Sequence, residues 1–126
     1  MCQTTPRAER ELPIAHEAPA LARRFLRTVS CTEHHQSVLD DAVLLVSELV
    51  TNSVLHGGPP VVLAVDCDGQ ALQVRVRDGS ADLPERRDAR TVDEGGRGLE
   101  LVANLSDAWG VDPSENGKHV WFVLRR

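Results

Sequence analysis

Glu48-Leu-Val-Thr-Asn52-Ser-Val-Leu-His56-Gly57-Gly-Pro-Pro60 closes an apolar run that begins at Val43. Glu48, Asn52 and His56 recur at every fourth position. Steps of four drift by only about 40° on an α-helix, so the three polar groups form one line along it. Val43, Val46, Leu49, Val50 and Val54 fill much of the remaining circumference, which predicts a largely buried helix. A carboxylate and a carboxamide on such a helix must be paired or must face a polar ligand. Taken alone, the line also fits a capped, partly exposed helix whose polar stripe meets water. Two further punctuation points favour a shared pocket. Asp78-Gly79 follows an alternating strand, and Gly95-Gly96-Arg97-Gly98 opens a second apolar helix.

A chain of 126 residues supports one domain and can bury a core of its own. Aromatic residues are few (Phe25, Trp109, Trp121, Phe122), so that core must rest on Leu, Val and Ala. The net charge of -5 and the absence of an aromatic and arginine ladder argue against direct nucleic-acid binding. Cys2, Cys31 and Cys67 are scattered without paired spacing, which indicates neither a disulfide framework nor a structural zinc site. The first residues lack an apolar signal core and no run reaches membrane-spanning length, so a cytoplasmic protein without a membrane partner is expected.

Along the chain, residues 1–10 are polar and read as a loose segment, and 11–15 read as a short edge strand weakened by Pro13. Leu21, Phe25, Leu26 and Val29 give 18–29 the period of an amphipathic helix. Residues 30–36, with His34 and His35, read as a polar connector, and Ser37 as the cap of a helix running to His56. Residues 61–66 and 71–77 read as an antiparallel hairpin, the second arm alternating cleanly between Leu72, Val74, Val76 and Gln73, Arg75, Arg77. Residues 79–95 are polar and aperiodic, a long loop of the kind that forms lids. A helix over 98–105 and strands over 108–111 and 119–124 complete the chain. This order predicts an α+β two-layer sandwich, a mixed and mostly antiparallel sheet with helices on one face.

Each cluster suggests its own chemistry. Glycines before a helix let the chain approach an anion closely, and free N–H groups at the helix start point at phosphate oxygens. The run at 95–98 is neither a Walker loop, which needs a following Lys-Ser/Thr, nor a Rossmann turn, which needs a preceding strand. Asp78 at a strand end can accept a hydrogen bond from an exocyclic amine, although Asp-Gly is also a common turn former. Asn52 offers a neutral oxygen suited to Mg²⁺, and Glu48, one turn earlier, can orient or deprotonate a hydroxyl. His56 fits the cap of a helix C-terminus as well as a ligand contact. Arg86, Arg87 and Arg90 alternate with acidic residues in the loop and read as a solvated run.

Glu48 to Gly57 resembles the N box of the histidine kinase-like ATPases, the superfamily of gyrase B and the bacterial histidine kinases. Val76-Arg-Asp78-Gly79 is similar to its adenine-reading G1 box, and Gly96-Arg97-Gly98-Leu99 to its G2 box. Order and spacing agree over residues 11–126, and the compact size most resembles the anti-sigma-factor serine/threonine kinases. The resemblance implies the Bergerat-type ATP-binding fold, with ATP and Mg²⁺ as cofactors. It implies that Asn52 holds Mg²⁺, that Glu48 is the general base and that Asp78 bonds the adenine amino group. Gly79 and His56 would border the nucleotide, and Gly96, Arg97, Gly98 and Leu99 would approach the triphosphate. The family's Asp-x-Gly-x-Gly departs here to Asp78-Gly79-Ser80-Ala81-Asp82, with Ser80 and Asp82 in place of two hinge glycines. The implied partners are a sigma factor, an anti-sigma-factor antagonist protein or both, and a homodimer is compatible. A self-contained sensor histidine kinase and a gyrase-type machine are not expected, because neither a phospho-accepting helix nor a transducer domain accompanies the domain. Two functions follow: an ATP-dependent protein kinase acting on a small antagonist protein, or a nucleotide-gated partner-binding module without transfer.

Overall fold

A computed structural model of the chain describes residues 8–30, 32–67, 70–80 and 94–125. The elements run β1 (Ala8–Leu12), α1 (Ala18–Val29), α2 (Thr32–His56), β2 (Val61–Cys67), β3 (Ala71–Asp78), α3 (Glu94–Leu105), β4 (Ala108–Ser114) and β5 (Gly117–Arg125). The five strands form one sheet in the order β1-β2-β3-β5-β4. Every pair is antiparallel, so the parallel component expected of a mixed sheet is absent among the described strands. The two hairpins meet through β3 and β5, and β1 returns to pair with β2.

Alternation within the strands decides which face carries the helices. Leu63 and Val65 on β2, Leu72, Val74 and Val76 on β3, and Val120, Phe122 and Leu124 on β5 are all buried. Directly paired residues share a face, so these side chains form continuous cross-strand rows under the helix layer. Helix α1 adds Ala18, Ala22 and Leu26, spaced one turn apart and fully buried. Its start holds Pro19, tolerated where N–H groups have no intrahelical acceptor, and its end is closed by the Ser30 N–H donating to the Leu26 carbonyl. Helix α2 buries Leu39, Ala42, Leu45, Val46, Leu49 and Val50 on one side.

Several boundaries differ from the sequence reading for identifiable reasons. The edge strand covers Ala8–Leu12 rather than 11–15, because Pro13 has no N–H to continue the ladder. Ala8, Glu9 and Arg10 therefore belong to the sheet and not to a loose segment. The connector at 30–36 shrinks to the two residues between α1 and α2: no glycine or proline interrupts 32–37, so α2 begins at Thr32 and Ser37 is not its cap. Helix α2 is also less enclosed than its composition suggests, with Leu44 and Leu55 exposed. Strand β4 runs on to Ser114, because β5 offers partners as far as Gly117. The lid reading of 81–93, with Asp82, Arg86, Arg87 and Arg90, lies outside the described residues, as does the loose-segment reading of residues 1–7.

Candidate nucleotide site

Asp78 is the last residue of β3 and stands in phase with Leu72, Val74 and Val76, so its side chain turns inward. The apolar setting does not solvate it, and the residue is only 3% exposed. Its carboxylate is instead held by three donors from three parts of the chain. Lys118 Nζ donates to Oδ1 at 2.9 Å, the Ser80 N–H donates to the same oxygen at 3.0 Å, and Ser53 Oγ donates to Oδ2 at 3.0 Å. Lys118 is the direct cross-strand partner of Asp78 in the β3–β5 register and is itself buried. A buried carboxylate without such partners would carry a severe desolvation cost.

Glycines let the backbone close around this group. A Cβ on Gly57 would lie 2.5 Å from Asp78 Oδ2 and 2.8 Å from the Ser53 carbonyl oxygen. One on Gly79 would lie 2.3 Å from the Pro59 carbonyl oxygen, and the Gly79 N–H donates to the Gly58 carbonyl at 2.7 Å. The Gly57-Gly58-Pro59-Pro60 turn, with a cis bond between its prolines, thus carries the end of α2 directly over the end of β3.

Helix α2 reaches the same cluster through Ser53. Ser53, bonded to Asp78, follows Asn52 directly, and Glu48 lies one turn earlier, both Asn52 and Glu48 being half-buried. Asn52 Oδ1 is buried and has no hydrogen-bond partner among the described residues. A buried carboxamide oxygen left so is uncommon, and its lone pairs can accept a donor or coordinate a cation. His56 ends α2 in an exposed position outside the Asp78 cluster. The glycine run lies within the first two turns of α3 rather than ahead of it, since the helix starts at Glu94. The first N–H groups of a helix, from the cap through its third residue, lack intrahelical acceptors, so Gly95 and Gly96 keep available donors despite the shift. Leu99 is buried in the core and anchors α3, which packs against α2. Among the described residues no group of three His, Cys, Asp or Glu side chains is placed to hold a metal.

A cavity of about 340 Å³ opens at this end of the sheet, bordered by Asp78 and Gly79 together with Pro60, Arg77, Asn116 and His119. Arg77 and His119 are direct cross-strand partners in the β3–β5 register.

Sequence reasoning singled out Asp78, Asn52 and Glu48; Ser53 and Lys118, which hold the Asp78 carboxylate, it did not name. Ser53 reads as filler within an apolar helix. Lys118 did leave a signal: it is in phase with Val120, Phe122 and Leu124, and a lysine at an inward strand position requires a buried partner.

Residues 12–124 match the sequence profile of the histidine kinase-like ATPase domain, and the chain belongs to that family. Among solved structures, it is similar to the crystal structure of the RsbU and RsbW domains of Rv1364c from Mycobacterium tuberculosis. The TM-score is 0.70 at 21% identity, over 96% of this chain and 32% of the other. The chain therefore spans about a third of that structure's length, and the likeness is one of fold. No curated protein matches the sequence. No helix among the described residues is long and apolar enough to cross a membrane.

Proposed function

We propose that the protein binds ATP with Mg²⁺ and is a serine/threonine protein kinase of the anti-sigma-factor type, acting on a small antagonist protein. The observation that carries this reading is the buried Asn52 Oδ1, without a hydrogen-bond partner among the described residues, on the helix that also holds Asp78 through Ser53. It is a neutral hard oxygen, and Mg²⁺ is commonly bound by one or two protein oxygens with substrate phosphates completing its shell. When bound, the ion neutralises charge on the phosphate oxygens during transfer.

The chain's own residues divide the remaining work. Asp78 accepts a hydrogen bond from the base, and Gly79 keeps the backbone beside it low. The N–H groups of Gly95 and Gly96 meet phosphate oxygens at the start of α3, Arg97 and Gly98 border them, and Leu99 fixes that helix in the core. Glu48 takes the proton from the serine or threonine hydroxyl of the antagonist as its oxygen attacks the γ-phosphorus, and the bond from that phosphorus to the β,γ-bridging oxygen breaks to release ADP. His56, exposed at the end of α2, borders the nucleotide or the incoming partner. Likeness to a structure that contains an RsbW domain accords with this assignment, and the family resemblance of the sequence implies a sigma factor as a second partner.

One observation favours a second reading, a nucleotide-gated binding module without transfer. The Asp78 carboxylate is already engaged by Lys118, Ser53 and Ser80, and Ser80 replaces the first hinge glycine of the family pattern. Incubation with labelled ATP, Mg²⁺ and a candidate antagonist separates the two. Phosphoserine or phosphothreonine on the antagonist supports the kinase. Nucleotide-dependent complex formation without label supports the module.

A further inference from the structure

We propose that Lys118 is a built-in occupant of the base site: its ammonium holds Asp78 in place of the base amine, and nucleotide reaches the carboxylate only once Lys118 has swung away. The inference rests on the nucleotide-binding reading above, in which Asp78 meets the base, and concerns what controls entry to that site.

Lysine occurs once in the 126 residues, at position 118, and the other permanently cationic side chains are all arginine. It stands in phase with the buried Val120, Phe122 and Leu124 of β5 and is the cross-strand partner of Asp78. Its Nζ donates to Asp78 Oδ1 at 2.9 Å. The Ser80 N–H donates to the same oxygen, and Ser53 Oγ donates to Oδ2. The backbone of Gly57 packs against Oδ2, closely enough that a Cβ there would stand 2.5 Å away. The Asp78 side chain is 3% exposed and that of Lys118 9%. Among the described residues the carboxylate is thus enclosed at both oxygens, and a base cannot share it with the lysine.

A base amine and a lysine ammonium are both N–H donors, so they compete for the one carboxylate. The ammonium is the stronger competitor, because it brings a full charge to a buried anion and a neutral amine does not. Lysine also suits a place that must be vacated. Its compact charge sits on a flexible four-carbon stem, whereas arginine carries a rigid planar fork. A pair kept for stability alone has a different consequence. Removing its lysine leaves Asp78 buried and unpaired, which only harms the protein. Removing an occupant opens the site to its ligand.

Calorimetric titration of the full chain with MgATP, wild type against Lys118→Ala, tests this directly. The alanine variant is expected to bind about tenfold tighter or more, the scale of one hydrogen bond to a charged group. Its lost stability is expected to return in part on adding MgATP, because the base amine then partners Asp78. Wild type that binds MgATP while folded Lys118→Ala gains less than about tenfold overturns the inference and leaves the nucleotide reading standing. Binding by the alanine variant alone upholds both. No heat from either folded protein at millimolar nucleotide overturns both. Should Lys118→Ala fail to fold, acylation of the single lysine in wild type decides. Millimolar MgATP is expected to speed that reaction several-fold by moving Lys118 into solvent, and an unchanged or slower reaction overturns the inference.

Discussion

Gly57 lies against the carboxylate of Asp78 so closely that a Cβ in its place would stand 2.7 Å from Cγ. The turn after α2 and the end of β3 are therefore one packed unit. Gly57→Ala must push either the helix end or the carboxylate aside. Overpacking of this kind costs about 1–3 kcal/mol. We expect that loss in urea denaturation together with weaker nucleotide binding; a variant as stable as wild type with unchanged affinity would show that the approach is not needed.

Asn52→Ala should abolish Mg²⁺-dependent nucleotide binding, because alanine offers no oxygen to the ion. The ligand-free protein should be no less stable, since the change removes a buried oxygen without a partner and improves helix propensity. Thermal melting and calorimetry with and without Mg²⁺ check both halves. Binding of MgATP equal to wild type would remove Asn52 from the site.

Glu48→Gln should bind ATP almost as wild type does and lose phosphoryl transfer to the antagonist. The amide keeps size and hydrogen bonding but cannot accept the proton, a general-base contribution of about 10²–10⁴-fold in rate. Undiminished phosphorylation by this variant would assign the proton to another group.

Ser53→Ala takes one of three donors from Asp78 and leaves Oδ2 without a partner among the described residues. Loss of a bond to a buried carboxylate should lower stability by about 1.5–3 kcal/mol. Saturating nucleotide should restore part of that loss, because the base amine then occupies the vacated oxygen. Denaturation with and without MgATP reads the difference, and an equal loss in both would argue against Asp78 meeting the base.

Gly110→Ala is a control on the other side of the sheet. A Cβ there would lie 2.7 Å from the Trp121 ring, whose Nε1 donates to Asp112 Oδ2 at 3.0 Å. The ring should swing out and its fluorescence shift to longer wavelength, with nucleotide affinity unchanged. A large fall in affinity would mean that the helix-free face reports to the site.

Much of this architecture is legible in the residue pattern. Alternation marks β3 and β5, the apolar period marks α1 and the body of α2, and Asp78 and Asn52 stand out as polar groups on buried elements. What escapes the pattern is non-local. Thr32 to Ser37 carry no breaker, and their polar composition alone does not tell a helix from a connector. Lys118 lies 40 residues beyond Asp78, and only the β3–β5 register brings the two together. The start of α3 was hidden because glycines usually mark a helix's outside, yet Gly95, Gly96 and Gly98 fall within it.

The sheet order also carries a consequence for biosynthesis. Strand β5, made last among the described strands, is inserted between β3 and β4 and supplies Lys118. A growing chain whose residues 108–125 are still inside the ribosome has β3 as an exposed edge and Asp78 without its cation. It has no finished base pocket, and the bare edge invites pairing with other chains. On the nucleotide reading proposed above, ligand can stabilise the domain only after residues 108–125 have emerged and the last hairpin has closed.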